Sequence, residues 1–124
     1  LENRLEGVTW YLVVFHTASG RSVGVVPGTE ITVYFDTNGK ITGHTSCNHF
    51  TATYSATVNG LTFRDPITTE KYCGSPASIM SQEATFLAVL PQASSYRVEG
   101  DLLTIMESRG NPILTFIRIK PAHF

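Results

Sequence analysis

Charge is the first thing this chain lacks. Only 15% of its 124 residues are Asp, Glu, Lys or Arg, and the net charge is −1. Disordered chains are rich in charge and poor in large apolar groups, so this composition belongs to a folded domain. The basic residues are scattered, which leaves no concentrated positive field for nucleic acid and no basic amphipathic face for a membrane surface. Apolar runs are only a few residues long, so no segment is expected to span a bilayer. No charged stretch leads into an apolar one at the start, so a targeting segment is expected to be absent from this chain. No Asn-x-Ser/Thr acceptor occurs.

Length bounds the answer as well, since two cores in 124 residues would each be marginal. A single domain over 1–124 is expected, with 1–6 as linker or flexible N-terminus. Cysteine is nearly absent, with Cys47 and Cys73 the only two.

What is present is β-rich. Short alternating runs of β-branched and aromatic residues are separated by Gly, Asn, Asp and Pro. Thr9 to Phe15 carries the single tryptophan, Trp10. Ser19 to Gly28 is rich in Gly and Val, with a turn at Pro27-Gly28. Ile31 to Phe35 and Lys40 to His44 flank Asp36-Thr37-Asn38-Gly39, and Gly43 is a bulge or close-packing position. Phe50 to Val58 alternates Phe50, Ala52, Tyr54, Ala56 and Val58 against hydroxyl residues, as a half-buried strand does. Asn59-Gly60 reads as a tight turn into Leu61 to Arg64, and Asp65-Pro66 is expected to end that strand.

One helix is expected, with Ser75 as N-cap, Pro76 at its first position, and Pro91 as its stop. Ile79, Phe86, Leu87 and Leu90 form its apolar stripe, with Glu83 at the edge. Strands over Ser95 to Val98, Leu102 to Glu107 and Ile113 to Ile119 close the chain. The fold class is therefore mainly β (α+β), a small antiparallel curled sheet or barrel with one helix packed on it.

The chain also resembles the META domain family (META/HslJ-like). The resemblance rests on Gly7-Val8-Thr9-Trp10, Gly43-His44-Thr45-Ser46-Cys47-Asn48, Phe50, Tyr54 and Asn59-Gly60-Leu61. It continues through Thr68-Thr69-Glu70-Lys71-Tyr72-Cys73, Glu83 to Phe86 and Leu90, and Gly100-Asp101-Leu102-Leu103. The motif residues are thus Trp10, Gly43, Cys47, Asn48, Tyr54, Cys73, Glu83 and Phe86. Two positions depart from the pattern. Ser46 stands where glycine is usual, so a less extreme backbone is expected there, and His49 stands where Arg or Asn is common. The resemblance implies an extracytoplasmic setting (periplasmic, cell-surface or secreted, often as a lipoprotein), links to envelope stress, and no agreed biochemical activity.

Four readings of the cysteines stand at this point. A structural disulfide is favoured, because both residues sit in turn-like segments flanking a hairpin. It would close a loop of about 26 residues, worth about 3.5 kcal/mol in the chain-entropy model. Buried reduced thiols are the bland alternative. A reactive Cys47 with His49 as base lacks a third, orienting group. A zinc site of His44, Cys47, His49 and Cys73 has crowded, atypical spacing. Asn48 is expected to serve the backbone, by adopting a left-handed conformation or bonding nearby main chain.

Asp36, Asp65, Glu70 and Glu83 show no pairing for acid/base work, and no phosphate loop or nucleophile elbow is present. No catalytic residue, cofactor or metal is assigned. The expected role is a non-enzymatic domain, monomeric, that binds a partner protein or a small apolar ligand and not nucleic acid. The alternatives are a passive structural module of a larger protein and, last, a weak enzyme using Cys47.

Overall fold

The computed structural model describes residues 4–119. Among the described residues, nine strands and one α-helix follow one another, eight of the strands where the residue pattern sets them and the short second strand inside the Gly- and Val-rich segment where no strand is expected. They are β1 (Thr9–His16), β2 (Ser22–Gly24), β3 (Thr32–Phe35), β4 (Lys40–His44), β5 (His49–Ala56), β6 (Leu61–Thr68), α1 (Ile79–Val89), β7 (Ser95–Glu99), β8 (Leu102–Met106) and β9 (Pro112–Ile117). All strands belong to one antiparallel sheet of order β6-β5-β4-β3-β1-β9-β8-β7, with β2 paired to β1. The sheet is curled and not closed. Among the described residues, the chain entering β6 and the start of β7 come together at one bridge, Gly60↔Ser95, flanked by Leu61 N–H to the Ser94 carbonyl (3.0 Å) and Tyr96 N–H to the Asn59 carbonyl (2.9 Å).

Period-two alternation puts one face of each strand inside the curl. Trp10, Val33, Phe35, Ile41, Phe50, Leu61, Leu103, Ile105, Leu114 and Phe116 are buried there, and Phe86 of α1 joins them. Phe50 and Phe86 meet edge-on at 5.6 Å between ring centroids, which seats the helix against the sheet. Trp10 donates its indole N–H to the Leu5 carbonyl at 3.0 Å, and the Arg118 guanidinium lies 4.9 Å from its ring. Leu5 is itself buried. It therefore belongs to the core and not to a linker, while residues 1–3 of the expected 1–6 segment lie outside the described residues.

Three local expectations shift. The β5–β6 turn centres on Val58-Asn59, one residue earlier than Asn59-Gly60, because Thr57 N–H bonds the Gly60 carbonyl at 3.0 Å. The shift leaves Gly60 to bridge Ser95. Asp65-Pro66 does not end β6. It forms a bulge opposite Ala52, where the register steps by one and Asp65 takes φ 56°, and pairing resumes at Thr51↔Ile67. Proline is tolerated because β6 is an edge strand, and the bulge protects that edge from pairing with other chains.

The helix begins three residues after Pro76. Ser78, not Ser75, is its N-cap and holds φ 78°, a left-handed conformation that cannot lie inside a right-handed helix. Pro91 ends the α-helix as expected, inside one 3-10 turn at 90–92. Among the described residues, no helix is long and apolar enough to cross a membrane.

Candidate functional site

The segment 45–48 is the turn of the β4–β5 hairpin. Thr45 N–H bonds the Asn48 carbonyl at 2.9 Å, so the turn closes on itself. Its left-handed residue is Ser46, with φ 75°, and not Asn48. Serine holds this unfavourable conformation because its hydroxyl is anchored: it accepts from Glu30 N–H and donates to the Glu30 carbonyl at 2.7 Å. The expectation of a milder backbone at Ser46 is thus corrected.

Cys47 and Cys73 form a disulfide, with Cα atoms 5.9 Å apart. That settles the four readings of these residues. Neither thiol remains free as a nucleophile or a zinc ligand. The bridge ties the turn to the segment that leads from β6 into α1.

Asn48 is almost fully buried, and every polar atom of its side chain is bonded. Its Oδ1 accepts from Lys71 N–H (2.8 Å) and the Thr69 hydroxyl (2.7 Å), and its Nδ2 donates to the Lys71 carbonyl (3.1 Å). The same nitrogen lies 3.0 Å from each carboxyl oxygen of Glu83. The Thr45 hydroxyl contacts Glu83 Oε1 and accepts from Asn48 N–H at 3.1 Å. Glu83 is therefore inside the molecule, and not at the edge of the helix stripe.

Its neighbour Gln82 works the same way on a second loop. Gln82 Oε1 accepts from Val26 N–H at 2.7 Å, and Nε2 donates to the Thr29 hydroxyl at 2.9 Å. The first turns of α1 thus clamp two loops with two consecutive polar side chains. Both residues are buried, which requires that their polar groups be bonded. Helical periodicity missed Gln82, since polar residues ordinarily mark the outer face, and Thr45 and Thr69 stand in the family motifs without any sign there of the bonds they make.

The other motif residues are core or close-packing positions. A Cβ at Gly43 would overlap the Phe50 ring and the Thr32 carbonyl, so only glycine lets the Phe50 ring lie across the strand. The Tyr54 hydroxyl donates to the Asp36 carbonyl. Burial pushes its pKa up to about 12, with Glu6, Asp36 and Tyr96 adding repulsion. Burial also raises Tyr96. Backbone N–H groups of Asn111 and Arg109 hold the Glu107 carboxyl below its ordinary range.

On the surface, a shallow groove of about 310 Å³ runs past Leu12, Val13, Val25, Val26 and Pro27. A smaller hollow of about 170 Å³ lies beside Thr9, Thr32, Tyr34, Thr42, His44 and His49. Exposed apolar groups include Val58, Ile67 and Tyr72, the last 83% exposed. Among the described residues, no three His, Cys, Asp or Glu side chains cluster as a metal-binding group.

Comparison with known proteins agrees with this architecture. The sequence profile described as META domain matches residues 3–119. An NMR structure of a protein from Burkholderia xenovorans superposes with a TM-score of 0.76 at 22% identity, covering 94% of this chain and 85% of that one. A crystal structure of a DUF4847 family protein from Bacteroides vulgatus superposes with a TM-score of 0.67 at 13% identity, covering 93% and 94%. At these identities the likeness is one of fold. Among curated proteins, none matches the chain significantly.

Proposed function

Because the chain belongs to the META domain family, we propose that it is a non-enzymatic, extracytoplasmic domain that binds a partner protein through its outer surface. One observation carries the reading: the signature residues Thr45, Cys47, Asn48 and Glu83 spend their polar and sulfur chemistry on one another and on Lys71, Thr69 and Cys73. A signature consumed this way builds a scaffold, and recognition falls to the groups left outside. Ile67 on the edge strand and Tyr72 beside the disulfide are such groups. The disulfide supports an oxidising compartment, because thiols stay reduced in the cytosol of most cells.

The interior of the curl is filled by Trp10, Phe35, Phe50, Phe86 and Phe116. That weighs for a protein partner over a ligand held inside the sheet. A second reading has its own support. The groove along Val13, Val25, Val26 and Pro27 reaches the lower end of ordinary ligand-site volumes, roughly 300 Å³. A small apolar molecule would lie there.

The test is a photo-crosslinking residue placed singly at Ile67, Tyr72 and Val25 in protein exposed to envelope material. A discrete protein adduct at 67 or 72 supports partner binding, and a low-mass adduct at 25 supports the ligand reading. No adduct at any position would leave a passive structural module and overturn both.

A further inference from the structure

His44 and His49 flank the signature turn and face each other across the β4–β5 ladder. The His49 backbone turns the other way, with its N–H donating to the Thr69 hydroxyl (3.1 Å) and its carbonyl accepting from Thr69 N–H (3.0 Å). His44 and His49 are therefore a non-hydrogen-bonded pair, the kind in which opposed side chains stand closest. Their imidazole centroids are 3.8 Å apart, with the rings inclined at 51°.

Three further features distinguish this pair from two histidines that happen to be neighbours. Both side chains are exposed on the outer face of the sheet. Among the described residues, neither ring has a hydrogen-bond partner, so four ring nitrogens are uncommitted. His16 differs, since its Nε2 bonds the Thr115 hydroxyl at 2.7 Å. Finally, the four residues between the two histidines are locked by the disulfide, the Asn48 hydrogen bonds and the Ser46 anchor. The backbone that carries both rings is thus held rigid, and the freedom lost when both engage one ligand is confined to the side-chain rotations of two residues.

We propose that His44 and His49 form a two-imidazole site for a divalent transition-metal ion of the copper, nickel or zinc type. Imidazole nitrogen suits these ions and not calcium or magnesium, which take oxygen. The ion would bridge the two rings at the mouth of the hollow beside Thr32 and Tyr34. With only two protein ligands, the remaining coordination positions are open to water or to a donor from another molecule. Copper(II) is expected to bind most tightly, then nickel(II) or zinc(II), following the general order of divalent affinities. The site does not depend on the partner-binding reading, because it requires only this hairpin.

The experiment adds CuCl2 at well below one equivalent to isotopically labelled, disulfide-intact protein and follows the imidazole NMR signals. Calorimetry with ZnCl2 then gives stoichiometry and affinity. Selective broadening of the His44 and His49 rings, one zinc per chain, and at least tenfold weaker binding in both H44Q and H49Q support the proposal. H16Q and H123Q are expected to bind like the parent. Broadening centred on His16 or His123, or undiminished affinity in H44Q and H49Q, overturns it. Should a variant fail to fold, the broadening pattern of the unmodified protein decides alone.

Discussion

The side-chain nitrogen of Asn48 lies 3.0 Å from both carboxyl oxygens of Glu83, joining the β4–β5 turn to the helix. Through the other end of the same amide, Asn48 holds Lys71 N–H at 2.8 Å. One buried side chain therefore connects a turn, a helix and a loop that are distant in sequence. Removing it strands several buried polar groups at once, and the cost of unpaired buried groups is greater than the net value of the bonds.

Asn48→Ala is accordingly expected to lose about 3–5 kcal/mol, as when one member of a buried polar network is deleted. Asn48→Asp brings a second carboxyl against Glu83 and is expected to do no better at neutral pH. Urea unfolding of the two variants beside the parent measures both. A loss below about 1 kcal/mol for Asn48→Ala would show that the network is dispensable.

Reduction of the Cys47–Cys73 bridge, whose partners are 26 residues apart, should cost about 3.5 kcal/mol. The check is the urea midpoint with and without a reductant. A Cys47→Ala/Cys73→Ala double variant should match the reduced protein and ignore the reductant. Any residual reductant effect in that variant would point to a different cause.

Gly43→Ala tests the packing of Phe50 across the strand. Its Cβ would meet the Thr32 carbonyl, which is backbone, as well as the Phe50 ring. Since backbone has to move, a loss of about 2–3 kcal/mol is expected, in the range for overpacked cores. Adding Phe50→Leu should recover only part of it, because the carbonyl contact persists.

Tyr54 gives a pH dependence with a definite sign. Its pKa is raised from 10.0 to about 12 in the folded protein, mainly by burial. The unfolded chain loses this proton first, so the contribution is full below about pH 10 and is lost as pH rises towards 12. It amounts to about 2–3 kcal/mol for a shift of this size. Tyr54→Phe should flatten that decline relative to the parent in unfolding experiments between pH 9 and about 12. A parallel decline in both proteins would assign the effect elsewhere.

The sequence announces the strands through alternation, as in Phe50, Ala52 and Tyr54, and the core through Trp10, Phe50 and Phe86. It marks Cys47, Asn48 and Cys73 only through the family resemblance, and the disulfide reading that the sequence favours over its alternatives is the one the fold adopts. What it conceals follows from interactions between distant segments. Gln82 looks like a solvent-facing helix residue, and Glu83 like one at the edge of the apolar stripe, until two loops arrive to bond them. Ser46 tolerates a glycine-like backbone only because Glu30 meets its hydroxyl. Asp65-Pro66 reads as a strand end, yet an edge strand can bulge around it and continue. Asn59-Gly60 reads as the turn itself, while the bond from Thr57 N–H to the Gly60 carbonyl sets the turn one residue earlier and Gly60 bridges Ser95.

The central claim, that the signature residues form a fixed scaffold, bears most directly on one amide. Lys71 lies outside regular structure, its side chain is exposed, and its N–H is bonded to Asn48 Oδ1 at 2.8 Å. Native-state hydrogen exchange on the unmodified protein should find this amide protected to nearly the same free energy as the core amides of β5. Exchange of Lys71 at the rate of an open loop would contradict the account.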